Sequence, residues 1–157
     1  MNIILLTQND PFYLSEAIEN FVDKINKNEN HKIIKAIVSD PSPFGKNSSF
    51  LKKTIRLFKI FGFKFFYYYS LKYIFNFFFK KNVLKTLKRN GVSTWHLKKS
   101  INSLESENII RDLKPDIIII IAGNLIIKKN ILEIPKFGII NAHSSLLPKY
   151  RGLMPTF

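Results

Sequence analysis

The chain opens on a short apolar run, Ile3 to Leu6, closed by Thr7-Gln8-Asn9-Asp10-Pro11. An apolar run without alternation that ends in turn-forming residues is the pattern of a buried strand giving way to a loop. A helical spacing follows: Ala17, Ile18, Phe21, Val22 and Ile25 recur at three- and four-residue steps and form one apolar face. Lys32 to Ser39 (KIIKAIVS) predicts a second strand, and the DPSPFGKNSS stretch after it is dense in turn residues. From Phe50 to Arg89 the pattern is helical again, interrupted at Gly62 and Asn82 and terminated at Gly91. Val92 to Leu97 predicts a third strand. Ser103 to Leu113 predicts a helix with Ser103 as its N-cap and Glu105 and Glu107 in the first turn, where carboxylates suit the helix dipole.

After Lys114-Pro115-Asp116 come five consecutive isoleucines, Ile117 to Ile121. A β-branched run without alternation predicts an interior parallel strand, because helices cover both of its faces. A loop or short helix is expected across Asn124 to Ile134, and Phe137 to Asn141 predicts a further strand. Alternating strands and helices imply an α/β fold: an open, mostly parallel sheet with right-handed crossovers and helices on both faces. Ligands of such sheets sit beyond the carboxyl ends of the strands. That rule selects Ala122-Gly123-Asn124 and Asn141-Ala142-His143, which are predicted to be neighbours in space.

Length and charge refine the picture. At 157 residues the chain has the size of one domain. It has no cysteine, so a disulfide framework and a thiolate metal site are excluded, and no metal ligands are assigned. The start lacks a basic n-region and reads as a strand rather than a signal peptide, which predicts a cytoplasmic protein. The net charge of +14 is concentrated: Pro41 to Leu104 holds 14 of the 25 Lys/Arg and no Asp or Glu. Within this block, Phe50 to Phe79 alone holds 14 of the 22 aromatic residues. Three readings of it are open: a basic module that neutralises nucleic-acid phosphates and stacks on bases, a helix lying on an anionic membrane surface, or an inserted helical hairpin whose aromatics pack on the sheet. Its lysines recur too often for a spanning helix.

The candidate chemistry lies near the end. On a strand, residues two apart point to one side, so Asn141 and His143 can face one pocket while Ala142 leaves room between them. An amide N–H aimed at an oxygen where negative charge develops, beside an imidazole able to move a proton, suits acyl transfer to an amine. Alone, an Asn-x-His after a strand is a common polar loop pair. His31 and His96 read as solvated surface residues.

The stretch AGNLIIKKNILEIPKFGIINAHSSLLPKYRG, preceded by the PDIIIIIAG strand, resembles the folate-dependent formyltransferase family, which carries an Asn-x-His followed by Ser-Leu-Leu-Pro and a basic loop. The resemblance spans about Pro115 to Gly152. It implies a Rossmann-like N-terminal catalytic domain over residues 1–157, with a helical insertion at about 48–90. It also implies transfer of a formyl group from 10-formyltetrahydrofolate, the donor, to a primary amine, with Asn141 and His143 as the catalytic pair. By the same resemblance the segment Gly123, Asn124, Leu125 and Ile126 lines the folate pocket. Ser145, Leu146, Leu147 and Pro148 form a loop beside the site, and Arg151 holds that loop or meets an anionic acceptor. Pro148 and Arg151 also have plain readings, as a turn end and a surface charge. The acceptor classes in the family include methionyl-tRNA, nucleotide-linked amino sugars and glycinamide ribonucleotide, and Leu153-Met154-Pro155-Thr156-Phe157 is bulkier than the small residues typical of the tRNA-directed members. The family completes its catalytic set with an Asp a few dozen residues after the His. The sequence reaches Phe157 before such a residue, so the expectation is a truncated form, incomplete at its C-terminus and not expected to catalyse on its own.

Overall fold

A computed structural model of the chain describes residues 1–10, 12–41, 50–78, 82–123 and 125–143. Its five strands are β1 (Asn2–Gln8), β2 (Lys32–Ser39), β3 (Thr94–Leu97), β4 (Ile117–Ile121) and β5 (Ile139–Ala142). They form one all-parallel sheet in the order β3-β2-β1-β4-β5. The helices are α1 (Leu14–Asn26), α2 (Phe50–Phe78), α3 (Val83–Arg89), α4 (Leu104–Asp112) and α5 (Lys129–Leu132). Each element predicted from the hydrophobic pattern is present, as the open α/β class requires. The largest boundary differences, two residues each, are β1, which runs on to Gln8 rather than ending at Leu6, β3, which begins at Thr94 rather than Val92, and β5, which begins at Ile139 rather than Phe137.

Strand order decides which helices cover which face. From β1 the chain steps outward to β2 and β3, then returns across the sheet to β4 and β5. With right-handed crossovers the helices before and after that reversal must lie on opposite faces. The two apolar cores agree. Ile3, Leu5, Ala36, Val38 and Ile117 pack with Ile18 and Val22 of α1 and Val83 and Leu87 of α3. Ile4, Leu6, Ile37, Ile118 and Ile120 pack with Ile110 of α4 and Ile131 of α5. The isoleucine run thus serves both cores by strict alternation, each buried side chain contributing roughly 1.5–3 kcal/mol. In β2, Ile33 and Ala36 face the same core although three residues apart. A register shift between Ile3 and Ile4 of β1 absorbs the odd residue and keeps both strands in phase.

α4 is capped as the sequence suggests, and Asn82, expected as an interruption, caps α3. The Asn82 side chain accepts a hydrogen bond from the Lys85 N–H at 2.8 Å, and Ser103 Oγ accepts from the Ser106 N–H at 3.3 Å. Glu107 ties α4 to α5, accepting from the Asn130 amide at 2.9 Å and from Arg111 Nη2 at 2.9 Å. These bonds, with Asn130 the larger influence, hold the Glu107 carboxyl below its ordinary value of 4.5. A depressed folded value means that the stabilisation is present above pH 4.5 and is lost as pH falls through the folded value. A carbon-13 titration of the Glu107 carboxyl is therefore expected to show a midpoint below 4.5 that moves back upward in Asn130→Ala.

α2 departs from regular geometry at Gly62, whose φ of 75° and ψ of −179° belong to a region essentially restricted to glycine, so the helix kinks there. Of the three readings, packing of the aromatics on the sheet is not what the structure shows for the described residues of α2. Both sheet faces are already occupied by the other helices, and Phe58, Phe63, Tyr67, Tyr68 and Tyr73 are exposed. α2 instead touches the turn between β1 and α1. Tyr69 packs edge-on against Phe12 at 5.3 Å, its hydroxyl lies 3.0 Å from that of Tyr13, and Lys72 Nζ sits 3.4 Å above the Tyr13 ring. The hydrogen bond to Tyr13, then burial, pushes the Tyr69 hydroxyl up to about 12, whereas that bond and Lys72 draw Tyr13 down.

Candidate functional site

The site forms where the carboxyl ends of β4 and β5 run side by side. Ile120 is in register with Asn141, and Ile121 with Ala142, so Gly123 and His143 leave the sheet as neighbours. The predicted proximity of the two segments is therefore present in the backbone. Side is fixed by alternation. Ile139 packs with Ile118 and Ile120 on the α4–α5 face, and Asn141 follows two residues on along the same strand, which ends at Ala142, one residue before His143. Asn141 is exposed and His143 half-buried.

The turn after β4 is built under local constraint. Ala122 adopts φ 53°, a left-handed conformation that costs a non-glycine residue on the order of 1 kcal/mol. At Gly123 a Cβ would lie 2.3 Å from Ile120 Cγ2, closer than any side chain tolerates, so the chain can double back over the strand only without one. Beyond the turn, Leu125 and Ile127 pack into the α4–α5 core, whereas Ile126 between them is 85% exposed.

One residue that sequence reasoning missed holds this segment in place. Asn102, in the turn before α4, donates from Nδ2 to the Ile126 carbonyl at 2.8 Å and accepts at Oδ1 from the Lys128 N–H at 2.8 Å. A single side-chain amide thus pairs with the backbone as a strand neighbour would. Its own carbonyl in turn accepts from Asn130 Nδ2 at 3.3 Å. Nothing in the local pattern marks Asn102, because its partners lie 24 and 26 residues away. At roughly 0.5–1.5 kcal/mol per bond, Asn102→Ala is expected to destabilise the chain by about 1–3 kcal/mol in urea unfolding, with Asn102→Asp, which keeps the acceptor, in between.

The neighbouring end of β1 completes the edge. The Asn9 N–H donates to the Ser39 carbonyl at 2.8 Å, and Asp10 Oδ1 accepts from the N–H groups of Phe12, Tyr13 and Leu14 at 2.7–3.1 Å, fixing the entry to α1. The Thr7 hydroxyl and the Asn9 side-chain oxygen are buried here, without hydrogen-bond partners among the described residues. β1 and β4 lie on either side of the point where strand order reverses, the usual position of a ligand crevice.

The other histidines lie elsewhere. His96 Nε2 lies 2.9 Å from Asp40 Oδ1 at the outer edge of the sheet, an exposed pair of small energetic value. His31 is less solvated than its sequence context suggests: it is half-buried, and its Nδ1 is buried without a partner among the described residues. Asn124, Ser145, Leu146, Leu147, Pro148 and Arg151 lie outside the described residues. Among the described residues no three His, Asp or Glu side chains group as metal ligands. A shallow hollow of about 350 Å³, lined by Arg111, Lys114, Pro115, Asp116, Ile134 and Lys136, opens at the opposite, amino end of β4.

Comparison with known proteins adds to this geometry. The profile of the Formyl transferase family matches residues 72–156, more than half of the chain. The methionyl-tRNA formyltransferase of Ehrlichia ruminantium (strain Gardel) is 47% identical over 62 residues, covering 40% of this chain and 20% of that protein. The enzyme of the same name from Dictyoglomus thermophilum is 46% identical over 65 residues, 41% of this chain and 21% of its own length. That from Alkaliphilus metalliredigens is 57% identical over 47 residues, 30% and 15%. The matched stretch thus spans about a fifth of the length of these relatives or less. Its matched half contains the β4 turn, the β5 strand and the Asn-x-His with the Ser-Leu-Leu-Pro sequence after it, and the chain belongs to the folate-dependent formyltransferase family, as part of its N-terminal domain.

Proposed function

We propose that this chain takes part in transferring a formyl group from 10-formyltetrahydrofolate to a primary amine, with Asn141 and His143 as the reacting pair. The observation that supports this reading is the register of β5 with β4, which brings Asn141, and the chain leaving the strand at His143, beside the Gly123 turn. Gly123, Asn124, Leu125 and Ile126 would hold the folate. The turn suits that task because its backbone is fixed by Asn102 and passes so close to Ile120 that no side chain intervenes.

The donor supplies an activated formyl carbon. Asn141 donates an amide hydrogen bond toward the formyl oxygen as negative charge grows on it, and His143 carries the proton from the attacking amine to the departing nitrogen. Ser145, Leu146, Leu147 and Pro148 flank the site, and Arg151 steadies that loop or an anionic acceptor. No Asp or Glu follows His143 in the sequence up to Phe157, so the carboxylate that orients the imidazole in the family is not within this stretch.

For the acceptor, the similarity to proteins named methionyl-tRNA formyltransferase favours a tRNA-borne amine. The bulky Leu153-Met154-Pro155-Thr156-Phe157 favours a nucleotide-linked amino sugar instead. A cytoplasmic setting belongs to the same reading; the structure contributes the fact that, among the described residues, no helix is long and apolar enough to cross a membrane. Calorimetric titration with a stable analogue of the folate donor tests the proposal. Saturable one-to-one binding that Gly123→Val abolishes is the expected result, and absence of binding by the unsubstituted chain refutes it.

A further inference from the structure

We propose that α2 is a docking surface for an anionic lipid bilayer, lying in the headgroup region with one apolar stripe turned toward the acyl chains. The stripe is read directly from exposure. Phe63, Tyr67, Leu71 and Ile74 recur at steps of four, four and three residues, the spacing of a single helix face. They are 69%, 57%, 50% and 49% exposed. The opposite face holds the helix to the body: Phe65 stacks on Tyr69 at 4.1 Å, and Tyr69 meets Phe12 and Tyr13. The helix is thus anchored on one side and apolar on the other. The exposed stripe runs for about 16 Å, at the usual rise of 1.5 Å per residue.

Charge selects the occupant. Lys64 is exposed beside the stripe, Lys59 is exposed on the segment before the Gly62 kink, and no acidic residue occurs between Pro41 and Leu104. Lysine stems can lie along the apolar surface while their ammonium groups reach anionic headgroups, and tyrosine hydroxyls suit that same boundary. A second copy would oppose two acid-free basic helices and repel. Nucleic acid would meet the lysines, but Leu71 and Ile74 have no planar face on which a base can stack. The arrangement is that of a surface helix, because no described helix is long and apolar enough to span. The family match begins only at Lys72, so formyl transfer does not account for most of this stripe. The proposal is independent of the reaction assigned above.

The test is co-sedimentation of the full chain with phosphatidylcholine vesicles, with and without one third phosphatidylserine, at low and high salt. The expected result is at least about tenfold stronger retention on the anionic vesicles, weakened by salt. The double substitution Leu71→Ser with Ile74→Ser is expected to reduce that retention about tenfold or more while leaving the circular dichroism spectrum unchanged, because both side chains are exposed. Lys59→Gln with Lys64→Gln is expected to reduce retention on anionic vesicles alone. Lack of retention on anionic vesicles overturns the proposal, as does retention indifferent to the Leu71 and Ile74 changes. Two further outcomes also refute it: binding to a tRNA-sized RNA without vesicle binding, and a vesicle-indifferent dimer that the same substitutions dissolve.

Discussion

Asn141→Ala is expected to slow formyl transfer by about 100- to 1000-fold while changing the affinity for a folate analogue only a few-fold. The asymmetry follows from what the side chain is assigned to do. An amide N–H directed at the formyl oxygen interacts weakly with the neutral carbonyl and strongly once charge has developed, so its removal is felt in the rate rather than in binding. Asn141 is exposed on the last strand and belongs to neither apolar core, so the substitution leaves the fold intact. His143→Ala is expected to lose rate to a similar extent. Single-turnover measurements of the unsubstituted and substituted proteins, in a form of the protein that turns over, separate these outcomes. A fall in affinity with unchanged rate would place Asn141 in binding instead.

The second large effect is expected at Gly123. Any Cβ there falls 2.3 Å from Ile120 Cγ2, and Ile120 is 7% exposed within the α4–α5 core, so its branched side chain has little space into which to move. Overpacking of this kind costs typically 1–3 kcal/mol. Gly123→Ala is expected to lower the thermal midpoint by several degrees. Gly123→Val is expected to go further and displace the 122–126 turn, abolishing folate-analogue binding. A double substitution, Gly123→Ala with Ile120→Ala, removes the clash and should recover most of the midpoint lost to crowding while incurring the cost of a smaller core residue.

Much of this architecture was legible because hydrophobic periodicity and burial report the same fact. The isoleucine run of β4 announces a strand covered on both faces, and the structure places Ile117 in one core and Ile118 and Ile120 in the other. Gly62, Asn82 and Ser103 marked interruptions and caps because their effects are local to the backbone. The adjacency of the Gly123 turn to Asn141 and His143 followed from the rule for parallel sheets, which depends on strand order rather than on side-chain detail. What was hidden depends on distant partners. Asn102 looks like any polar residue before a helix until the fold brings Ile126 and Lys128 to it. The destination of the α2 aromatics stayed open among three readings for a related reason: composition shows that the rings are apolar, but not that both sheet faces are already covered.

The central claim is that Asn141 and His143, beside the Gly123 turn, meet the formyl end of a folate. Nuclear magnetic resonance of the full chain, following the Asn141 side-chain amide and the His143 ring during titration with a stable folate analogue, tests it most directly. The account predicts saturable shifts of both side chains together with the Gly123, Leu125 and Ile126 amides. Shifts confined to the hollow around Arg111, Asp116 and Lys136, with Asn141 and His143 unmoved at saturation, would contradict it.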